Sequence, residues 1–189
     1  MAFYPFGPSA AFGNNLPWEP SDNGLLAANA SLDAVGNTFT PVAGTVYLGK
    51  IWARAPLTVT ALAYQVRTAG VGASSGSFVG AYSSAGVLLS QSADIGANLL
   101  TANDYSSTLG APQPIPGGSF FWAAFLSNLA TTQAVLNTYA ASSFTIPNMG
   151  LAPATARAAT FGAGLTSLPA SFTPSALTPA GVPIWFGVF

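Results

Sequence analysis

The sequence predicts an all-β protein: an antiparallel β-sandwich, jelly-roll-like, with an extended N-terminal arm. Three observations carry this. Apolar residues come in short runs closed off by Pro/Gly turns, at 40–44, 114–118 and 178–181. Inside the runs, side chains alternate with the strand period of two. Helical spacing is absent over any run of about 12 residues. About eight strands with turns between them describe a sandwich rather than a helical or α/β domain.

The stretch that organises the rest is 114–127, PIPGGSFFWAAFLS. Pro116, Gly117 and Gly118 turn the chain into an unbroken apolar run, 120–126, rich in aromatics, which suits a strand buried on both faces. Alternation sends Phe120, Trp122, Ala124 and Leu126 to one side and Phe121, Ala123 and Phe125 to the other. One side is the sandwich core. The other calls for a second layer or a neighbouring subunit.

Residues 1–20 form the arm and 21–189 a single domain. The arm sets Phe3, Tyr4, Phe6, Phe12, Leu16 and Trp18 among four prolines and two glycines, with no helical or strand period. Each large aromatic gains about 1.5–3 kcal/mol on full burial. Two placements follow: docking on a partner subunit, or lying along its own domain. These six residues are the candidate interface.

Residues 21–37 are small and polar and read as loop, with a short strand at 25–28. Asn29-Ala30-Ser31 matches a glycosylation sequon, without an export signal to support it. A strand at 45–54 places Val46, Leu48 and Trp52 on one face and Tyr47, Ile51 and Ala53 on the other. The next, 57–68, places Leu62, Tyr64 and Val66 toward the core, Thr58, Thr60 and Thr68 on the same parity, and Gln65 and Arg67 outward. Residues 77–83 and 87–91 form a hairpin about Ser84-Ala85-Gly86. Residues 93–103 read as loop or a short helical turn, with Ile95, Leu99 and Leu100 available to pack. Residues 134–139 read as a small strand or a helical turn, and further strands are expected at 105–111, 157–161, 171–173 and 184–189.

The composition narrows the chemistry. Half of the 189 residues are hydrophobic, but only 5% are charged, against about 25% in ordinary domains. A surface so poor in charge is poorly soluble unless an assembly covers it. Histidine and cysteine are both absent, which removes the usual general base, thiolate chemistry and Cys- or His-ligated metals. The four basic residues, Lys50, Arg54, Arg67 and Arg157, make no nucleic-acid footprint at a net charge of −1. No apolar stretch reaches the length of a membrane helix, and no basic-then-apolar leader opens the chain. No membrane insertion is expected.

Five acids remain: Glu19, Asp22, Asp33, Asp94 and Asp104. Asp94 and Asp104 fall in one loop region, but they read as solvated or turn-capping acids more than as a catalytic pair. No calcium-loop pattern or phosphate loop is present. Of the tryptophans, Trp52, Trp122 and Trp185 read as buried in core or interface rather than as sugar platforms. The expectation is a protein that is not an enzyme and takes no cofactor or metal.

From around Asp22 to the end the chain resembles a β-sandwich module common in virion proteins of tailed phages that infect actinobacteria. The matching pieces are AGTVYLGKIWARAPLTVTALAYQV, the hairpin Ala81-Tyr82-Ser83-Ser84-Ala85-Gly86, the strand PIPGGSFFWAAFL, and Thr166-Ser167-Leu168-Pro169-Ala170 followed by PIWFGVF. The resemblance implies a structural virion protein exposed on the particle surface, either a capsid decoration or head-fibre protein or a tail-tip protein. The partner it implies is the major capsid protein, and the low charge with wide apolar coverage adds further copies of the chain, as a trimer, since virion axes and fibres favour threefold contacts. A host-surface glycan is the partner in the tail-tip alternative.

Overall fold

In the computed structural model, residues 19–139 and 148–189 are described. Among them there are twelve strands: β1 (Ala27–Ala28), β2 (Asn37–Phe39), β3 (Val46–Ala53), β4 (Leu57–Thr68), β5 (Phe78–Ser83), β6 (Leu88–Gln91), β7 (Asn103–Ile115), β8 (Ser119–Leu126), β9 (Val135–Thr138), β10 (Ala158–Phe161), β11 (Thr178–Pro179) and β12 (Gly187–Val188). They build two antiparallel six-stranded sheets, a β-sandwich. The strands that fall where none was expected are β2 and β11, pieces of three and two residues that are too short to leave an alternating pattern.

The first sheet runs β1-β12-β4-β9-β2, with β7 on the other edge of β4. The second runs β11-β10-β3-β8-β5-β6 and puts the aromatic strand β8 in its interior. Strand β8 pairs with β3 along its whole length, Val46 opposite Leu126 through Ala53 opposite Ser119. It pairs with β5 on the other side, Phe78 opposite Leu126 through Ser83 opposite Phe121.

The expected split of β8 holds. Phe121, Ala123 and Phe125 enter the core between the sheets, with Ile51 beside them and Leu62, Tyr64, Val66 and Leu136 opposite. Tyr64 meets Phe125 edge-on at 5.6 Å between ring centroids. On the other side, Trp122, Ala124 and Leu126 join Val46, Leu48 and Tyr82 in a second cluster. The cover there is this chain's own segment 161–177, through Leu168, Leu177, Phe161 and Phe172. Segment 171–173 supplies only a single bridge, Ser171 to Val87, rather than a strand.

Strand β4 departs from simple alternation. A bulge between Val59 and Ala61 shifts the register, so Val59 is buried in the core while Thr58 and Thr60 are exposed. The bulged backbone is still satisfied: Thr60 and Ala61 both donate to the Phe189 carbonyl, at 2.6 and 3.1 Å. Opposite the bulge, β7 leaves β4 and touches the second sheet. Leu109 bridges Ser92, and the Ala111 amide donates to Ser90 Oγ at 3.0 Å. This crossing joins the two sheets along one side.

The chain ends in less strand than 184–189 promised. Only Gly187 and Val188 lie in β12, while Ile184 makes a lone bridge to Thr138. The terminal segment is held instead by Asn29. Its Nδ2 donates to the Ile184 carbonyl at 2.8 Å, and its Oδ1 accepts from the Phe186 amide at 2.9 Å. Residues 25–35 then cover the outside of the first sheet, where Leu25, Ala63 and Trp185 pack together with Leu32 and Val35.

Candidate interaction surface

The arm residues Phe3, Tyr4, Phe6, Phe12, Leu16 and Trp18 lie outside the described residues. The described chain begins at Glu19, whose amide donates to Asp22 Oδ2 at 2.8 Å and opens a short 3-10 turn, Pro20–Asn23. That turn borders a concavity of about 360 Å³ whose other walls include Leu26, Ala28, Trp52, Arg54 and Pro56.

Asp94 and Asp104 do not share a network. Asp94 Oδ1 accepts from the Gly96 and Ser77 amides at 2.7 and 3.2 Å and from Ser74 Oγ at 3.3 Å, so it caps its own loop. Asp104 accepts from the Gln65 side-chain amide across the β4–β7 pair. These are two separate networks. Among the described residues there is no group of three or more His, Cys, Asp or Glu arranged to hold a metal ion. No helix of the described residues is long and apolar enough to cross a membrane.

Asn29 of the sequon is buried, and both ends of its amide are engaged by Ile184 and Phe186. That position is closed to a glycan in the folded chain. Asn29 therefore matters as a structural clamp, and the match to the sequon is coincidental.

The tryptophans divide sharply. Trp122 is fully buried, and Trp185 is 7% exposed with its Nε1 donating to the Ala30 carbonyl at 3.1 Å. Trp52, expected in the core or an interface, is 56% exposed in the chain. The reason is positional. It shares the outer face of β3 with Val46 and Leu48, but segment 161–177 covers only the other end of that face. At the Trp52 end, Lys50 and Trp52 lie opposite Trp122 and Phe120 in the pairing register.

This end of the sheet is a groove of about 570 Å³ lined by Lys50, Trp52, Arg54, Phe120, Leu151 and Arg157, with Ala28, Asn29, Ala154 and Thr155. Three of the chain's four basic residues line it, and no carboxylate does. Trp52 and Phe120 lean together at 5.4 Å between centroids, and Phe120 meets Trp122 edge-on at 5.8 Å. The Lys50 ammonium lies 4.4 Å from the Phe120 centroid and 4.8 Å from that of Trp122 and donates to the Thr155 carbonyl at 2.7 Å. Partial burial pushes its pKa below the ordinary lysine value. Arg157 arrives because β10 pairs with β3, the Lys50 amide donating to the Arg157 carbonyl at 2.8 Å. Arg54 follows immediately after β3 and is exposed, as is Arg157.

Part of this groove is legible in sequence: Lys50 and Trp52 share a strand parity, and so do Phe120 and Trp122. Arg157 belongs to it only through the β3–β10 pairing, for which the sequence carries no local signal. The chain matches no protein-family model and no curated protein.

Proposed function

We propose that the chain is a structural virion protein, a capsid decoration or head-fibre protein that self-associates and meets the shell through its N-terminal arm. The observation that carries this is the meeting in space of the pieces by which the sequence resembles the phage sandwich module. Strands β3, β8 and β5 are consecutive in one sheet. The Tyr82–Gly86 hairpin grips the Ser-Leu-Pro-Ala segment: Tyr82 Oη donates to the Pro169 carbonyl at 2.7 Å, the Leu88 amide to Ala170 at 2.9 Å and the Phe172 amide to Gly86 at 2.8 Å. Residues some 85 positions apart thus act as a single structural unit. The 5% charge content adds weight, because such a chain gains from contact with neighbours.

A second reading is a tail-tip protein that recognises a host-surface glycan. It is favoured by Trp52, an exposed indole standing in a concave, cation-lined surface. Immunogold labelling of purified particles with antibody against the chain tests both. Label over the head supports the decoration reading, label at the tail tip supports the second, and particles without label overturn both.

A further inference from the structure

We propose that the groove between Trp52 and Arg157 binds an acidic saccharide, with a sugar ring stacked on Trp52 and its carboxylate held by Arg54, Arg157 and Lys50. This names a ligand class for a specific site. It builds on the glycan reading and not on the position of the protein in the particle.

The first support is the distribution of charge. A chain with four cations places three of them around one concavity and lines it with no acid. Scattered by chance over a surface, such residues would be solvated singly. Converging, they raise the local potential and call for an anion. Arginine matches a carboxylate with two parallel N–H donors. Lys50 is already held, by two aromatic faces and the Thr155 carbonyl, so its ammonium is positioned before a ligand arrives.

The second support is the aromatic floor. Trp52 is more than half exposed beside these cations, and Phe120 leans against it. An indole left open is a platform for the C–H face of a pyranose, apolar on one side and ringed by polar groups. The groove volume, about 570 Å³, lies in the range of small-ligand sites, roughly 300–1,000 Å³. It is concave where a protein–protein patch is broad.

Charge also separates this occupant from the chain's own arm. Residues 1–18 contain no Asp or Glu, so the arm brings no side-chain anion to three cations.

The test is binding of full-length protein to a panel of uronate oligosaccharides, tri-galacturonate and a hyaluronan tetrasaccharide among them, read by calorimetry. The methyl ester of each serves as the same ring without charge. Expected are dissociation constants between about 10 μM and 1 mM for at least one acid form, and at least tenfold weaker binding of its ester. Arg54→Ala, Arg157→Ala and Trp52→Ala each weaken it at least fivefold, while Arg67→Ala, at the fourth cation, leaves it unchanged. Thermal melts of the variants establish that each is folded. No binding across the panel, equal binding of acid and ester, or insensitivity to all three groove substitutions overturns the proposal. Equal or tighter binding of a hexaglutamate peptide also overturns it, in favour of an acidic protein partner. Failure here leaves particle labelling unaffected, so the virion role stands or falls separately.

Discussion

Asn29 binds the backbone of Phe186 as a neighbouring strand would, its side-chain Oδ1 accepting from the Phe186 amide at 2.9 Å while its own backbone amide donates to the Phe186 carbonyl at 3.1 Å. With Nδ2 on Ile184, this clamp joins residues more than 150 positions apart. Asn29→Ala strands a buried donor and a buried acceptor, each costing about 1–3 kcal/mol. The expected loss is about 2–4 kcal/mol, read as a lower urea midpoint at unchanged slope.

Gly49 sits beneath the same clamp. A Cβ built there would lie 2.6 Å from Asn29 Nδ2 and 2.8 Å from the Phe186 ring. Both neighbours are buried. Gly49→Ala is expected to cost about 1–3 kcal/mol by overpacking. Phe186→Leu should relieve part of that penalty, so a double-mutant cycle should return coupling of about 0.5 kcal/mol or more. Additive losses would contradict the contact.

Trp52 and Trp122 stand two residues from each other's cross-strand partners yet predict opposite outcomes. Trp122→Ala empties a fully buried site and should cost about 3–5 kcal/mol. Trp52→Ala removes a ring that is largely in solvent and should change stability by about 1 kcal/mol or less. Equal losses would mean that Trp52 is covered in solution, and sedimentation at the same concentrations would reveal the covering copy.

Alkaline pH should unfold the protein. Burial raises the pKa of Tyr47, Tyr64, Tyr82 and Tyr139 above 10.0, most strongly for Tyr82. Between that value and the folded pKa, the unfolded chain loses phenolic protons that the folded chain keeps. The stabilisation is therefore complete below about pH 10 and is lost as pH rises further. Lys50, whose pKa is lowered, works in the opposite direction and at lower pH, its contribution growing up to the ordinary lysine value of 10.5, so it does not offset the loss from the four tyrosines above that. Denaturation midpoints should be level toward pH 9 and fall above pH 10, alongside phenolate absorbance. Tyr82→Phe should make the fall shallower.

Strands β3, β4 and β8 were legible because local rules and tertiary structure agree on them, whereas β7, expected at 105–111, runs from Asn103 to Ile115, carried past Pro112 and Pro114 by its pairing with β4. β3, β4 and β8 begin and end within a residue or two of their apolar runs, and the two faces of β8 follow from parity alone. What escaped reading depends on distant partners. Val59 enters the core only because β4 bulges opposite the excursion of β7. The outer face of β8 is covered by 161–177, a segment with little strand character. Trp52 reads as core or interface by its neighbours and is exposed in the chain because that cover stops short. In the cation groove the aromatic floor follows strand parity, but its third cation arrives through β10.

The most direct test of the proposed virion role is a cryo-electron reconstruction of a phage particle prepared with this chain among its gene products. The expected density is a two-sheet sandwich at the particle surface, repeated by the particle's symmetry, with residues 1–20 reaching a neighbouring copy or the shell. A particle whose head and tail density are fully accounted for by other chains would contradict the account.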